Sequence, residues 1–253
     1  MTSTFMMFQR SNKFGVFLLF LWIPNVFAIF LDIRRDGSNF FHYSAKVTIF
    51  DHTQNSLDST DPNQISDDQM RGLVKQAYTE MQNIFTAQNV DDKERPGAMI
   101  SLAVGQEIYF SSSIKKIGGF IDAFPDNPVA RALTRCVIND GHGTCTNPRG
   151  DGCQHRTGAS CGEPLAVYTY YQDHYPIATL PTAVRVIAWN QGNRPQAGVA
   201  APCGQGDNGE VGKPWGCKRF LEDQKVTNVI GDGNVGDIPD DWVAHTSHSC
   251  LRG

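Results

Sequence analysis

The chain has 253 residues, with 22 basic and 26 acidic side chains and a formal net charge of −4. An acidic balance argues against a general polyanion-binding protein, and this length is enough for one domain with a sizeable core. Residues 113–219 reverse the sign locally, with eleven Lys/Arg against eight Asp/Glu. An anionic substrate is therefore permitted there, although scattered solvated charges are the simpler interpretation.

The first residues have the pattern of a secretory signal. Arg10 and Lys13 precede an apolar run of ten residues, 14–23, and Ala28 supplies a small residue for cleavage. A helix that spans a membrane needs roughly twenty apolar residues, so this run favours a signal peptide. We expect residues 1–28 to be removed, the protein to be secreted, and 29–253 to form a single domain.

The first half of the mature chain predicts a strand, a helix and a hairpin. Residues 45–50 alternate and are β-branched, which is typical of a strand. Ser66 to Gln69 form a capping box that begins a helix. Segments 98–104 and 107–111 flank Gly105-Gln106 and predict a β-hairpin. The helix carries an apolar stripe typical of a core face, namely Met70, Leu73, Val74, Ala77, Tyr78, Met81, Ile84 and Phe85.

The second half alternates helices with loops. A short helix is expected at 129–138, followed by a Cys-rich loop within 136–160. A further helix is expected from about Cys161 to Gln172, with Ser160 as its cap and Glu163 as the reciprocal residue of a capping box. Residues 183–189 have the pattern of a strand.

The end of the chain predicts one more helix and a polar tail. The helix begins at Cys217 and is expected to place Phe220, Leu221, Val226, Val229 and Ile230 on its inner side. Gly231-Asp232-Gly233 stops it, and the remaining residues have the composition of a polar C-terminal tail.

Three of the seven cysteines occupy positions suited to a metal ligand. Cys161 and Cys217 each begin a predicted helix, where the helix dipole favours a thiolate, and Cys203 follows Pro202 beyond a strand. Three thiolates would hold zinc with a fourth position open for water, whose pKa would fall toward roughly 7. Glu163 lies in the same helical turn as Cys161 and is the candidate proton shuttle. The other four cysteines, an even number that permits two disulfides, are Cys136, Cys145, Cys153 and Cys250.

An alternative interpretation assigns these cysteines to disulfides, which are common in an oxidising compartment. A Cys203–Cys217 bridge would staple the Gly-rich segment between them, and Cys161 would pair with Cys153 or Cys145. Glu163 would then serve only as a capping residue.

Two histidines, His142 and His155, also lie in the Cys-rich loop. Both are possible extra ligands or general acids. A histidine in a loop is more often a polar surface residue, and that is the interpretation we favour from the sequence.

The order of these elements resembles the zinc-dependent nucleoside and nucleic-acid deaminase superfamily over roughly residues 66–230. The first motif of that family is His-x-Glu or Cys-x-Glu, matched by Cys161-Gly162-Glu163. Its second motif, Pro-Cys-x-x-Cys, is matched in part by Pro202-Cys203 and Cys217. Thirteen residues separate these two cysteines where the family usually has two.

The resemblance implies both a fold and an activity. The fold would be an α/β three-layer sandwich with one mixed sheet flanked by helices, as in cytidine deaminases. Zinc would be the cofactor, and the reaction would be hydrolytic removal of an exocyclic amine from a nucleobase, nucleoside or nucleic acid. The alternatives are a non-catalytic, disulfide-stapled secreted effector or binding protein, and a deaminase fold that has lost its metal.

Overall fold

The computed structural model describes residues 31–36, 42–49, 65–115, 119–139, 155, 158–191, 197–203, 216–238 and 243–245. The predicted secretory segment lies outside these residues. So do His142 and three of the four cysteines assigned to disulfides from the sequence: Cys145, Cys153 and Cys250.

Eight strands in the described residues form one sheet with the order β1-β2-β4-β3-β5-β6, in which β7 pairs with β5 and β8 pairs with β2. Every pair is antiparallel except β5–β7, which is parallel, so the sheet is mixed. The strands are β1 Arg34–Asp36, β2 His42–Ile49, β3 Ala98–Val104, β4 Glu107–Ser112, β5 Val184–Asn190, β6 Gly198–Ala200, β7 Asn228–Val229 and β8 Val243–His245.

The helices follow the sequence predictions closely in the middle of the chain. They are α1 Asp67–Ala87, α2 Phe120–Ala123, α3 Pro128–Asn139, α4 Gly162–Asp173 and α5 Cys217–Asp223. A single 3₁₀ turn, Asp92–Glu94, connects α1 to the hairpin of β3 and β4.

The sheet separates two hydrophobic cores, because successive side chains of a strand point to opposite faces. In β3, Ile100 and Leu102 pack with the helices α2 to α5 on one face. Met99 and Ala103 of the same strand pack with α1 on the other face. The predicted α/β class, with one mixed sheet between helices, is therefore confirmed.

The predicted capping box of α1 is confirmed. The Ser66 hydroxyl accepts a hydrogen bond from the Gln69 backbone N–H at 3.2 Å, and the Gln69 side chain accepts one from the Ser66 N–H at 2.8 Å. Every residue of the predicted apolar stripe is buried except Ile84, which is half-buried. The stripe is the core face of this helix, as its spacing predicts.

The last predicted helix is shorter than expected, and the prediction that it continues to Ile230 is wrong. It ends at Asp223, and Lys225 has a positive φ of 60° that turns the chain. Residues 228–229 then form β7, because this segment is rich in β-branched side chains that suit a strand. Val229 is 38% exposed and does not face the core. The unit β5–α5–β7 is thus a parallel crossover.

Residues 231–238 pack against the first turn of α1. The Gly236 N–H donates to the Asp68 carbonyl at 2.7 Å, and Ile238 is buried. Arg71, which is also buried, donates to the carbonyl oxygens of Gly231, Asp232 and Asn234. This part of the predicted polar tail therefore belongs to the folded domain.

Candidate metal centre

The start of α4 places Cys161 and Glu163 beside the sheet. Cys161 is the N-cap residue, in an extended conformation and without a capping hydrogen bond from its side chain. The predicted Ser160 cap and the capping box with Glu163 are therefore wrong. The Cys161 sulfur lies against another cysteine, and the Ser160 carbonyl accepts the Ile114 N–H at 2.8 Å.

Four side chains converge at this helix end. Ligand atoms of His155, Cys161, Cys203 and Cys217 all lie within 4.8 Å of one another and could hold a metal ion. The Cys161 and Cys203 sulfurs are 3.4 Å apart. His155 Nε2 lies 3.4 Å from the Cys217 sulfur and 3.8 Å from that of Cys203.

These distances fit a tetrahedral ion and do not fit disulfides. Zinc–sulfur bonds of about 2.3 Å place the sulfurs of a tetrahedral site about 3.8 Å apart. A disulfide needs about 2.05 Å. No pair of the four cysteines that the structure describes is bridged, so the Cys203–Cys217 staple is not formed. The assignment of Cys136 to a disulfide stays a prediction, since its proposed partners lie outside the described residues.

The thirteen-residue segment between Cys203 and Cys217 does not keep these two residues apart. Cys203 follows β6, and its sulfur accepts the backbone N–H of Cys217 at 3.1 Å. Its carbonyl oxygen accepts the Lys218 N–H at 3.1 Å. The start of α5 is thereby fixed to the end of β6, so the long insertion relative to the family motif leaves the two sulfurs adjacent.

His155 is the site residue that the sequence interpretation missed. Its side chain is only 5% exposed, so its assignment as a surface residue is wrong. The Gly158 N–H donates to the His155 carbonyl at 2.8 Å, and Gly158 and Ala159 both have positive φ values. This turn brings His155 back over the start of α4. The available sequence signal was the short spacing from His155 to Cys161 across a glycine.

The four side chains stabilise one thiolate by themselves. Hydrogen bonds from the Cys161 and Cys217 thiols, and then from His155, lower the pKa of Cys203 far below its usual value. The hydrogen bond to Cys203 raises the pKa of Cys161, and burial raises the pKa of Cys217. Ionising all three thiols in this buried place requires a cation, and binding one would release protons.

Glu163 is a buried carboxyl next to this cluster. It is 5% exposed, and burial raises its pKa to about 7, to which the negative charge of Cys203 contributes. Its own backbone N–H and the Cys217 thiol oppose the shift. A carboxyl group that exchanges its proton near neutral pH is suited to general acid–base chemistry.

A pocket of about 640 Å³ opens onto the cluster. The half-buried Cys161 and Cys203 and the buried Glu163 line it, together with apolar groups such as Ile100 and Ile114. Other residues that line it include Tyr78, Gln82, Asp92, Arg95, Ser113, Lys115, Ser160, Asn190 and Gln191. This volume is in the range of small-molecule sites, which are roughly 300–1,000 Å³.

The structure thus brings together all four residues that the sequence singled out for chemistry, namely Cys161, Glu163, Cys203 and Cys217. No family model matches the chain, and neither a curated protein nor a solved structure matches it. Among the described residues, no helix is long and apolar enough to cross a membrane. The geometry of this site and the chemistry of its residues therefore carry the evidence for function.

Proposed function

We propose that this chain is a secreted, zinc-dependent hydrolase of the deaminase type, which removes an exocyclic amine from a nucleobase, nucleoside or nucleic acid. The observation that carries the proposal is the position of Glu163. This buried carboxyl, whose pKa burial raises to about 7, lies beside a group of three cysteines and one histidine and lines the same pocket as two of those cysteines.

The donor set fits zinc. Thiolate and imidazole are the ligands that zinc takes in tetrahedral protein sites, and hard cations such as Mg²⁺ prefer oxygen. A zinc ion held there would supply a Lewis acid that makes water nucleophilic near neutral pH. The sulfurs of Cys161, Cys203 and Cys217 lie close enough together to hold such an ion with its fourth position open to water.

Glu163 is the protein group that moves protons in the proposed reaction. Its carboxylate takes a proton from the attacking water, whose oxygen bonds to the ring carbon that bears the amine, and passes this proton to the adjacent ring nitrogen. Glu163 then takes the proton of the new hydroxyl group and gives it to the amine, so that the carbonyl forms, the carbon–nitrogen bond breaks and ammonia departs. Both halves need a carboxyl that exchanges its proton readily, and the burial that raises the pKa of Glu163 favours this.

The pocket and the element order support a base as the substrate. Apolar side chains of Ile100 and Ile114 and the ring of Tyr78 line the same pocket, which suits a flat ring. The helix α4 follows the β3–β4 hairpin, and α5 lies between β5 and the parallel strand β7. This order agrees with the resemblance drawn from the sequence.

The test compares the parent chain with Glu163→Gln. Zinc content is measured by elemental analysis, and ammonia release is measured from cytosine-, adenine- and guanine-containing nucleosides, nucleotides and oligonucleotides. We expect the variant to keep its zinc and to lose deamination by about 10²-fold or more. Glu222→Gln, an exposed change on α5, is the matched control and should retain activity. Equal activity in Glu163→Gln would remove this residue from the mechanism.

Secretion is part of the proposal and has its own test. The pattern of residues 1–28 supports it, because a basic segment precedes an apolar run that ends near a small residue. When the chain is expressed in a secreting eukaryotic cell, the protein recovered from the culture medium should begin at Ile29. Retention in the cell with Met1 intact would contradict this part.

A second function, a non-catalytic protein stabilised by a metal, is favoured by one observation. His155 completes a set of four protein ligands, and four-ligand zinc sites are usually structural. In that role the ion would join the starts of α4 and α5 to residue 155. A zinc-loaded protein that melts at much lower temperature after chelation, and that deaminates none of the tested bases, would favour this function.

A further inference from the structure

Arg95 is a partly exposed arginine that lines the pocket. Its Nε donates to the Val90 carbonyl at 2.9 Å, and its Nη1 lies 2.8 Å from an Asp92 carboxylate oxygen. The guanidinium carbon lies 6.0 Å from the centre of the Phe85 ring. Three contacts thus hold a side chain that is 37% exposed. An arginine held in this way loses little conformational freedom when it binds an anion.

The charge on Arg95 is only weakly compensated. Asp92 is 87% exposed, so water screens its charge. Within the described residues, the Nη2 atom of Arg95 has no hydrogen-bond acceptor. This nitrogen still has both of its protons to offer a ligand, and a guanidinium is the preferred partner of a phosphate.

Lys115 supplies a second positive charge in the same pocket. Its side chain is half-buried, and no acidic group of the described part of the chain forms an ion pair with it. A partly desolvated ammonium without a counterion is unfavourable, and a bound anion would relieve that cost. The acidic residues that line the pocket are Asp92, already beside Arg95, and the buried Glu163.

Resting on the proposed function, we infer that Arg95 and Lys115 form an anion subsite, and that the substrate base carries a phosphate. The pocket is lined by apolar groups, by a buried proton-transfer group and by two cations that are only partly buried. A ligand that matches both regions has a flat ring at one end and a phosphate at the other. A nucleotide, free or within a single strand, has this chemistry, and a neutral nucleoside lacks half of it.

The test measures binding to the zinc-loaded Glu163→Gln chain, which prevents turnover. The probes are deoxycytidine and deoxyadenosine, their 5′-monophosphates, and ribose 5-phosphate. At low salt, one of the two nucleotides should bind about tenfold or more tightly than its nucleoside, because charge-assisted hydrogen bonds contribute on this scale. The preference should shrink in 0.5 M salt, since exposed charges are screened.

Substitutions then assign the preference to the two residues. Adding Arg95→Gln and Lys115→Gln together should bring nucleotide and nucleoside affinities to near equality. Lys93→Gln, in the adjacent 3₁₀ turn but not in the pocket lining, is the matched control and should keep the preference. Arg95→Lys, which keeps the charge but loses the guanidinium fork, should retain part of it and guards against a folding defect in the double variant.

The outcomes separate this inference from the proposed function. Equal nucleotide and nucleoside affinity in the Glu163→Gln chain, or a preference that survives the double substitution, would overturn the anion subsite. Deamination of nucleosides with no preference for a phosphate group would support the deaminase activity and contradict the anion subsite. If ribose 5-phosphate binds in a way that requires Arg95 and no base is deaminated, the anion subsite is supported and the deaminase activity is contradicted. A short cytosine-containing strand that binds more tightly than the mononucleotide would identify the phosphate source as nucleic acid.

Discussion

Replacing Gly162 by alanine should distort the metal centre, because Gly162 lies between Cys161 and Glu163 in the chain. A Cβ atom at this position would lie 2.4 Å from the Ser111 carbonyl oxygen and 2.3 Å from the Ile100 Cδ1. Ile100 can change its rotamer, but the carbonyl belongs to the backbone of β4. The start of α4 must therefore retreat until the Cβ–oxygen distance rises from 2.4 Å to at least 3.0 Å.

That retreat is large compared with what a metal site tolerates. Ligand distances in zinc sites vary by about 0.2 Å, and Cys161 and Glu163 flank the displaced residue. We expect zinc to bind more weakly and the free energy of unfolding to fall by about 1–3 kcal/mol, the usual cost of overpacking. The better helix propensity of alanine, about 1 kcal/mol, offsets part of this cost.

The assay is competitive zinc titration against a chromophoric chelator, with thermal unfolding measured on the same samples. Each kcal/mol should lower the melting temperature by about 2–4 °C in a domain of this size. Gly231→Ala is the matched control, because its Cβ would meet no atom within 4 Å. Unchanged zinc affinity and melting temperature in Gly162→Ala would show that the close packing of α4 on β4 does not position the ligands.

Two further predictions concern the site histidine and a buried histidine of the sheet. In the cobalt-substituted parent protein, azide should change the visible spectrum, because the proposed hydrolase leaves the fourth position of the ion open; a spectrum that azide alters only after His155→Ala would show that His155 fills this position and would favour the structural metal site. His42 lies fully buried on β2, its Nε2 lies 2.8 Å from the Ser111 hydroxyl, and burial lowers its pKa to about 3. Because the unfolded chain takes up this proton below pH 6.5 and the folded chain does not, stability should fall as the pH drops, by about 2 kcal/mol at pH 5. Urea unfolding at pH 7 and pH 5 should show this loss in the parent and a smaller one in His42→Gln, and identical losses would contradict it.

Local signals carried the parts of the fold that the sequence predicted. The capping box at Ser66 and the helical stripe behind it define α1 without reference to the rest of the chain. The hairpin 98–111 was predicted to within one residue, because alternation and a short Gly-containing turn are local features. Cys161 and Cys217 were predicted as metal ligands because each begins a predicted helix, where the helix dipole favours a thiolate.

Non-local features account for what the sequence did not predict. A two-residue strand such as β7 has no periodicity of its own and exists only because β5 offers a free edge. His155 reaches the cluster through a turn in which Ala159 has a φ of 56°. Residues other than glycine rarely adopt a positive φ, so an alanine at this position does not predict the turn. The packing of 231–238 depends on backbone carbonyl groups that accept hydrogen bonds from Arg71. The composition of this segment does not predict these contacts.

The strands β1 and β8, which come from opposite ends of the described chain, share one side of β2. Both are antiparallel to β2: Val243 lies opposite Ile49 and His245 opposite Val47, and β1 resumes with Arg34 opposite Ser44. The end of β8 therefore points at the start of β1 along the same line, with two positions of β2 between them. Segments from both ends of the described chain therefore complete the same edge of the sheet. Removing either one should expose part of the hydrogen-bonding edge of β2.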